Sequence, residues 1–232
     1  FVDSDSQANL TNFLCTHFPE TRAPQDAQTL VELIRRGGDL RQSILPLNDQ
    51  IHLLPSTAVN SMLERELLRL KRHAVSRLKE ALVPCLRDYD FIIVDCAPSL
   101  NLFNASAVFA ADLVLVPFEL SQFALKGLAQ TFEEVAQIEE AFSGRTETRA
   151  VPNKYKDRGA TDAAHLETLI AQYRPWLLRS AIRESAEVED FYSTGANFFS
   201  NEQSELLMDL DELTAEVFID LRGIGKDYAR HQ

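Results

Sequence analysis

Four apolar residues in a row, Phe91-Ile92-Ile93-Val94, run directly into a carboxylate, Asp95. A short, continuous, β-branched run is what a strand buried on both faces requires. Comparable runs recur at Phe1-Val2, Ile51-His52-Leu53-Leu54 and Leu113-Val114-Leu115-Val116. Weaker ones lie at Thr148-Arg149-Ala150-Val151 and from Leu177-Leu178 to Ile182. Between them fall helical patterns over about 8–15, 27–36, 57–84, 101–109, 123–142, 161–172 and 202–222. Strand and helix alternating in this way predict an α/β chain, a doubly wound and mostly parallel sheet with helices on both faces. No repeat, low-complexity tract or long linker divides it, so residues 1–232 read as a single domain.

Composition narrows the class further. Hydrophobic residues make up 45% and charged residues 25%, with 8 Gly and 9 Pro, which excludes collagen-like, disordered and coiled-coil chains. No apolar run reaches the ~20 residues of a membrane span. Cys15, Cys85 and Cys96 form no CxxC, so neither a disulfide framework nor a zinc signature is expected, and a cytoplasmic setting follows. The net charge of −12 argues against a chain dedicated throughout to nucleic acid.

Ligands of open α/β sheets bind where strands end and loops lead into helices. After Val2 come Asp3-Ser4-Asp5, two carboxylates two residues apart. Such a pair suits a hydrated Mg²⁺ or an attacking water, and it equally suits an Asx turn and helix cap. After Val94 comes Asp95, as in the strand-ending carboxylate that reaches the Mg²⁺ of a nucleotide. Cys96 has no His placed to activate it and reads as a small buried residue.

The block Tyr89-Asp90-Phe91-Ile92-Ile93-Val94-Asp95-Cys96-Ala97-Pro98-Ser99-Leu100 closely resembles one found in the ParA partition ATPases, relatives of MinD in the deviant Walker-A group. Phe1-Val2-Asp3-Ser4-Asp5-Ser6-Gln7-Ala8-Asn9-Leu10-Thr11 resembles a second block. Val116-Pro117 with Phe123 to Leu128, and Val151 to Arg158, resemble a third and a fourth. Ile182 to Ser185 and Tyr192 to Gly195 match a late loop in position more than in letters. The blocks follow the family's order across about residues 1–200. Ser6 and Ala97 stand where the family favours Pro. No Gly-Lys-Thr or Gly-Lys-Ser occurs; Gly225-Lys226 leads to Asp227. Family members carry the phosphate-cradling loop just before the first block, so an N-terminal strand and that loop are expected upstream of Phe1, and the ATPase reading depends on them.

The resemblance implies a role for each residue. Asp5 would orient or activate the water that attacks the γ-phosphate of ATP, with Asp3 supporting it near the metal. Asp95 would hold Mg²⁺ through a water. Asn153 would hydrogen-bond adenine, with Ile182 and Arg183 packing near the base. It further implies a homodimer when ATP is bound, a ParB-like adaptor that stimulates turnover, and no membrane. Two alternatives stand beside this ATPase. One is a degenerate ParA-like scaffold; the other is an ATP-dependent enzyme of the same group acting on a small molecule.

Segment 57–84 reads as one helix, with Leu63, Leu67, Leu70, Ala74, Leu78 and Ala81 on one side and Arg65, Arg69, Arg72 and Lys79 on the other. Its six basic and three acidic residues give a local +3. The stripe suits either non-specific contact with DNA phosphates or a solvated helix face. In the late loop region Glu184, Glu187, Glu189 and Asp190 oppose DNA.

Overall fold

A computed structural model describes residues 1–18, 30–36, 39–70, 73–98, 101–121, 124–142, 146–156, 167, 171–194, 201 and 203–228. The chain packs as two compact units, Phe1–Ala111 and Asp112–Gln232.

In the first unit, β1 (Val2–Asp3) pairs in parallel with β4 (Val94–Asp95), aligning Asp3 with Asp95. On its other edge β1 meets Leu54 in a parallel bridge, through Asp3 N–H to the Leu54 carbonyl (3.1 Å) and Leu54 N–H to the Phe1 carbonyl (2.8 Å). Leu54 follows β3 (His52–Leu53), which forms an antiparallel hairpin with β2 (Leu45–Pro46). The hairpin turns on Asn48, whose side chain accepts from Gln50 N–H (2.8 Å) and Ile51 N–H (2.7 Å), an Asx turn. Helices α1 (Asn9–His17), α2 (Leu30–Arg36), α3 (Leu63–Leu70), α4 (Arg77–Leu82) and α5 (Leu102–Ala110) complete the unit. Val2, Leu30, Ile34, Leu67, Leu78 and Phe103 centre its core.

The expected helix over 57–84 is broken. A 3-10 turn at Ala58–Met62 precedes α3, and α4 begins only at Arg77. The cause of the second start lies on the neighbouring helix. Fully buried Ser106 of α5 donates its hydroxyl to the Val75 carbonyl (2.9 Å) and accepts from Leu78 N–H (3.2 Å). One side chain thus satisfies backbone groups that a continuous helix would pair internally. Arg72 lies outside the described residues.

In the second unit, β5 (Leu113–Glu119) and β6 (Glu147–Asn153) run parallel over seven aligned pairs. Parallel bridges from Ala150 to Leu177 and from Tyr155 to Arg183 extend this sheet. Helix α6 (Ala124–Phe142) sets Leu128 and Phe132 against Phe118, Ala150 and Tyr173. Helices α7 (Ala186–Thr194) and α8 (Glu205–Tyr228) follow. Ser204 caps α8 by accepting from Leu207 N–H at 3.2 Å. The helix expected at 161–172 falls mostly outside the described residues.

Of the run expected as a strand, only Val94 pairs, with Asp95 after it, and the run is not buried on both faces. Ile92 and Val94 pack against the core, whereas Phe91 and Ile93 are 43% and 54% exposed. On β5, Leu115 is 40% exposed while Phe118 is buried. Successive side chains along a strand alternate between faces, so one face of each run is more exposed than the other. Among the described residues, no helix is long and apolar enough to cross a membrane.

Candidate functional site

The loop after β1 is built around Asp3. Its carboxylate is fully buried, and both oxygens accept hydrogen bonds: Oδ1 from Asp5 N–H (3.1 Å), Oδ2 from Thr11 N–H (2.8 Å) and the Thr11 hydroxyl (2.6 Å). Three donors make burial of this charge tolerable. They also make Asp3 a fixture of its loop. The two carboxylates differ in burial: Asp3 lies fully buried beneath the loop, and Asp5 is presented beyond it. Asp5 is partly accessible, with Oδ1 accepting from Gln7 N–H at 3.0 Å.

Ser4 ties this loop to the next strand. Its N–H (3.1 Å) and its hydroxyl (2.7 Å) both donate to the Asp95 carbonyl. The Asp95 side chain stays accessible to solvent. Partial desolvation, then the negative charges of Asp3 and Asp5, push its pKa above the ordinary aspartate value. Crowded carboxylates at strand carboxyl ends favour a cation. Cys96 follows and is exposed, in contrast to the expected buried residue. Desolvation and the neighbouring Asp95 charge push its thiol up to about 11, so it stays protonated at neutral pH and is a poor nucleophile. Ser99 and Leu100 lie outside the described residues.

The second unit places the residues expected near adenine at the end of β6. Asn153 closes that strand opposite Glu119, and its Oδ1 accepts from Lys154 N–H at 3.0 Å. Lys154 has φ 53°, in the left-handed region, and its ammonium pairs with Glu119 at 2.8 Å. Both backbone groups of Ile182 are committed to the sheet: its N–H donates to the Pro152 carbonyl (2.8 Å), and its carbonyl accepts from Tyr155 N–H (3.0 Å). What Ile182 retains for a ligand is its half-buried side chain. Arg183 turns to α8, pairing with Asp209 and Glu205.

The basic residues do not lie on one helix. Arg65 and Arg69 are exposed on α3, and Arg69 pairs with the buried Glu66 at 2.7 Å. Lys79 belongs to α4, with its ammonium 5.2 Å from the Phe109 ring centroid. The break at Val75 separates the two helices.

Sequence reasoning missed Thr11, Ser56 and Asn60. The Ser56 N–H donates to Thr11 Oγ1 at 2.8 Å, and its hydroxyl donates to the Asp5 carbonyl. Asn60 Nδ2 donates to Ser56 Oγ at 2.8 Å. The available signal was small polar residues following the apolar end of β3, after Pro55.

Parallel strands joined through helices define an α/β protein, with its carboxylates where such folds place their ligand sites. The family described as AAA domain matches residues 1–147. A ParA family protein of Chlamydia pneumoniae is 29% identical over 232 aligned residues, covering 96% of this chain and 86% of that protein. The sporulation initiation inhibitor protein Soj of Bacillus subtilis is 30% identical over 139 residues, 60% of this chain and 53% of its own length. Two further relatives are matched over 39% and 24% of their lengths, so the chain spans about half or less of several curated relatives. Among solved structures, a Cyanothece McdA variant in complex with ATP superposes with a TM-score of 0.80 at 21% identity, covering 94% of this chain and 84% of that one. The chain belongs to this AAA domain family, as a ParA-type member of the ParA/MinD superfamily. Its fold class is that of a doubly wound, P-loop NTPase-like α/β protein.

Proposed function

We propose that residues 1–232 act as one ParA-like ATPase domain, which uses an ATP-dependent dimerisation cycle to position DNA or another large cargo. The observation that carries this reading is the division of labour at the ends of β1 and β4. Asp3 is consumed in holding the loop, while Asp5 and Asp95 remain accessible beside each other's charge. A carboxylate whose pKa is raised by two others suits a divalent cation. Among the described residues, no three acidic, His or Cys side chains converge to hold one unaided. Asp95 would therefore hold Mg²⁺ through water, with phosphate oxygens supplying other ligands.

Bound Mg-ATP would supply the transferable phosphoryl group and neutralise its developing charge. The chain's own residues do the positioning. Asp5 would orient the attacking water from a loop pinned on two sides, Asp95 would hold the metal's hydration shell, and Asn153 would offer its amide to the base. The phosphate cradle itself, a glycine-rich loop with lysine, is not among these 232 residues. A ParB-like adaptor and nucleoid DNA are the partners this reading calls for.

The test is light scattering of the full-length chain with Mg-ATP, Mg-ADP or neither. The expected result is a dimer with Mg-ATP alone, lost in Asp95→Asn. A mass that never changes with nucleotide favours the scaffold reading.

A further inference from the structure

We propose that Ser56 and Asn60 form a clamp that sets the position of Asp5 and are thus positioning residues for ATP hydrolysis. The inference rests on the reading of Asp5 as the residue that orients water.

The clamp is a directional chain of hydrogen bonds. Asn60 Nδ2 donates to Ser56 Oγ at 2.8 Å, and the Ser56 hydroxyl donates in turn to the Asp5 backbone carbonyl. Each bond polarises the next. The amide orientation follows from its surroundings, because Nδ2 faces a second oxygen, the Asp3 carbonyl, at 3.4 Å. Ser56 also grips the loop's other support, since its N–H donates to Thr11 Oγ1 and the Thr11 hydroxyl donates to Asp3. Two residues that follow β3 therefore hold both halves of the loop after β1.

Three features set this apart from ordinary packing. Ser56 and Asn60 are buried, at 5% and 4% exposure, where apolar side chains would fill space without the cost of desolvating polar groups. Asn60 Oδ1 is buried and has no hydrogen-bond partner among the described residues, so the amide is kept for its donor end despite the orphaned oxygen. The loop needs holding, because Ala8, three residues after Asp5, has φ 54° and its N–H donates back to the Asp5 carbonyl at 2.9 Å. A non-glycine residue in the left-handed region persists when its surroundings over-determine it. The Asp5 carbonyl, gripped by Ala8 and Ser56 together, fixes the backbone from which its carboxylate projects.

The experiment measures Mg-ATP turnover, ATP KM and thermal stability in the full-length protein carrying Ser56→Ala, Ser56→Thr, Asn60→Asp or Asp5→Ala. Asn60→Asp keeps the side chain's size while replacing the donor, so it carries the test where Ser56→Ala does not fold. Ser56→Ala and Asn60→Asp are expected to lower kcat about 10- to 100-fold, the scale of a misplaced catalytic group. ATP KM is expected to stay within about 2-fold, as for an interaction felt only in the transition state. Ser56→Thr, which keeps the hydroxyl, restores kcat. In an Asp5→Ala background, adding Ser56→Ala leaves the residual turnover unchanged. Unchanged kcat in both clamp variants, with turnover lost in Asp5→Ala, overturns the clamp and leaves the ATPase reading standing. Turnover by Asp5→Ala at the wild-type rate overturns the role of Asp5 and the clamp with it.

Discussion

Arg183 and Asp209 are joined by three hydrogen bonds: the Arg183 backbone N–H (3.0 Å) and Nε (2.8 Å) both reach Oδ2, and Nη2 reaches Oδ1 at 2.9 Å. Two helical turns further along α8, Glu216 repeats the motif. It accepts from the N–H groups of Arg179 and Ser180, both at 2.9 Å, and from the Ser180 hydroxyl at 2.6 Å. Two carboxylates on one face of α8 thus take backbone donors from the segment that reaches Ile182.

That docking is expected to fail in acid. Burial raises the pKa of Asp209, but the hydrogen bonds and charge of Arg183 outweigh it and hold the group below its ordinary 3.8. Glu216 is similarly held below 4.5, its burial outweighed by the donors of Arg179 and Ser180. For groups depressed in the folded state, the stabilisation is complete above the ordinary value and is lost as pH falls through the folded one. Fluorescence of Trp176, the single tryptophan, is expected to hold from about pH 6 to about pH 4.5 and change below that. Asp209→Asn should flatten part of the transition. A transition centred near neutral pH would contradict this account.

Asp95 carries the opposite sign. Its pKa is raised, so the charged form is disfavoured in the fold and the strain it adds persists above the folded pKa. Asp95→Asn should therefore raise the melting temperature of the nucleotide-free protein at neutral pH. It should weaken magnesium-dependent nucleotide binding about 10- to 100-fold, the usual scale for a group that holds metal through its outer shell. A lower melting temperature would show that the carboxylate is structurally required.

Ser106→Ala leaves the Val75 carbonyl and the Leu78 N–H without their shared partner in a buried setting. The expected loss is about 1–3 kcal/mol in a denaturant titration. Leu67→Ala, at a fully buried position in the same core, should cost about 2–5 kcal/mol. A serine variant as stable as wild type would mean that the helix break has another cause.

Arg65→Glu should weaken DNA binding and reduce its salt dependence by about one contact, whereas Lys79→Glu should leave both nearly unchanged. The two residues sit on separate helices, and Lys79 already lies over Phe109. Equal effects in a salt-titrated binding assay would show that α3 and α4 act as one surface.

Much of the architecture was legible because strand and helix periodicity is local. Leu113 to Val116 and most of Leu102 to Ala110 announce themselves in a few letters, whereas of the run Phe91 to Val94 only Val94 pairs as strand. The break between α3 and α4 was not legible, since its cause is Ser106, distant in sequence. The exposed face of Phe91 and Ile93 escaped for the same reason: a β-branched run records what a strand tolerates, not what covers it. At the site, Asp5 and Asp95 could be read from their place after strands. The separation of Asp3 from Asp5 could not, because it depends on where Thr11 and Ser56 place their donors. Arg183 illustrates the remaining difficulty, as nothing near it in sequence shows that Asp209 will claim its guanidinium.

The most direct test is Mg-ATP turnover by the full-length protein compared with Asp5→Ala, with nucleotide binding followed in parallel. Turnover lost by about 100-fold or more, with ATP still bound, is the expected result for a residue that orients the attacking water. Turnover at the wild-type rate would contradict the account.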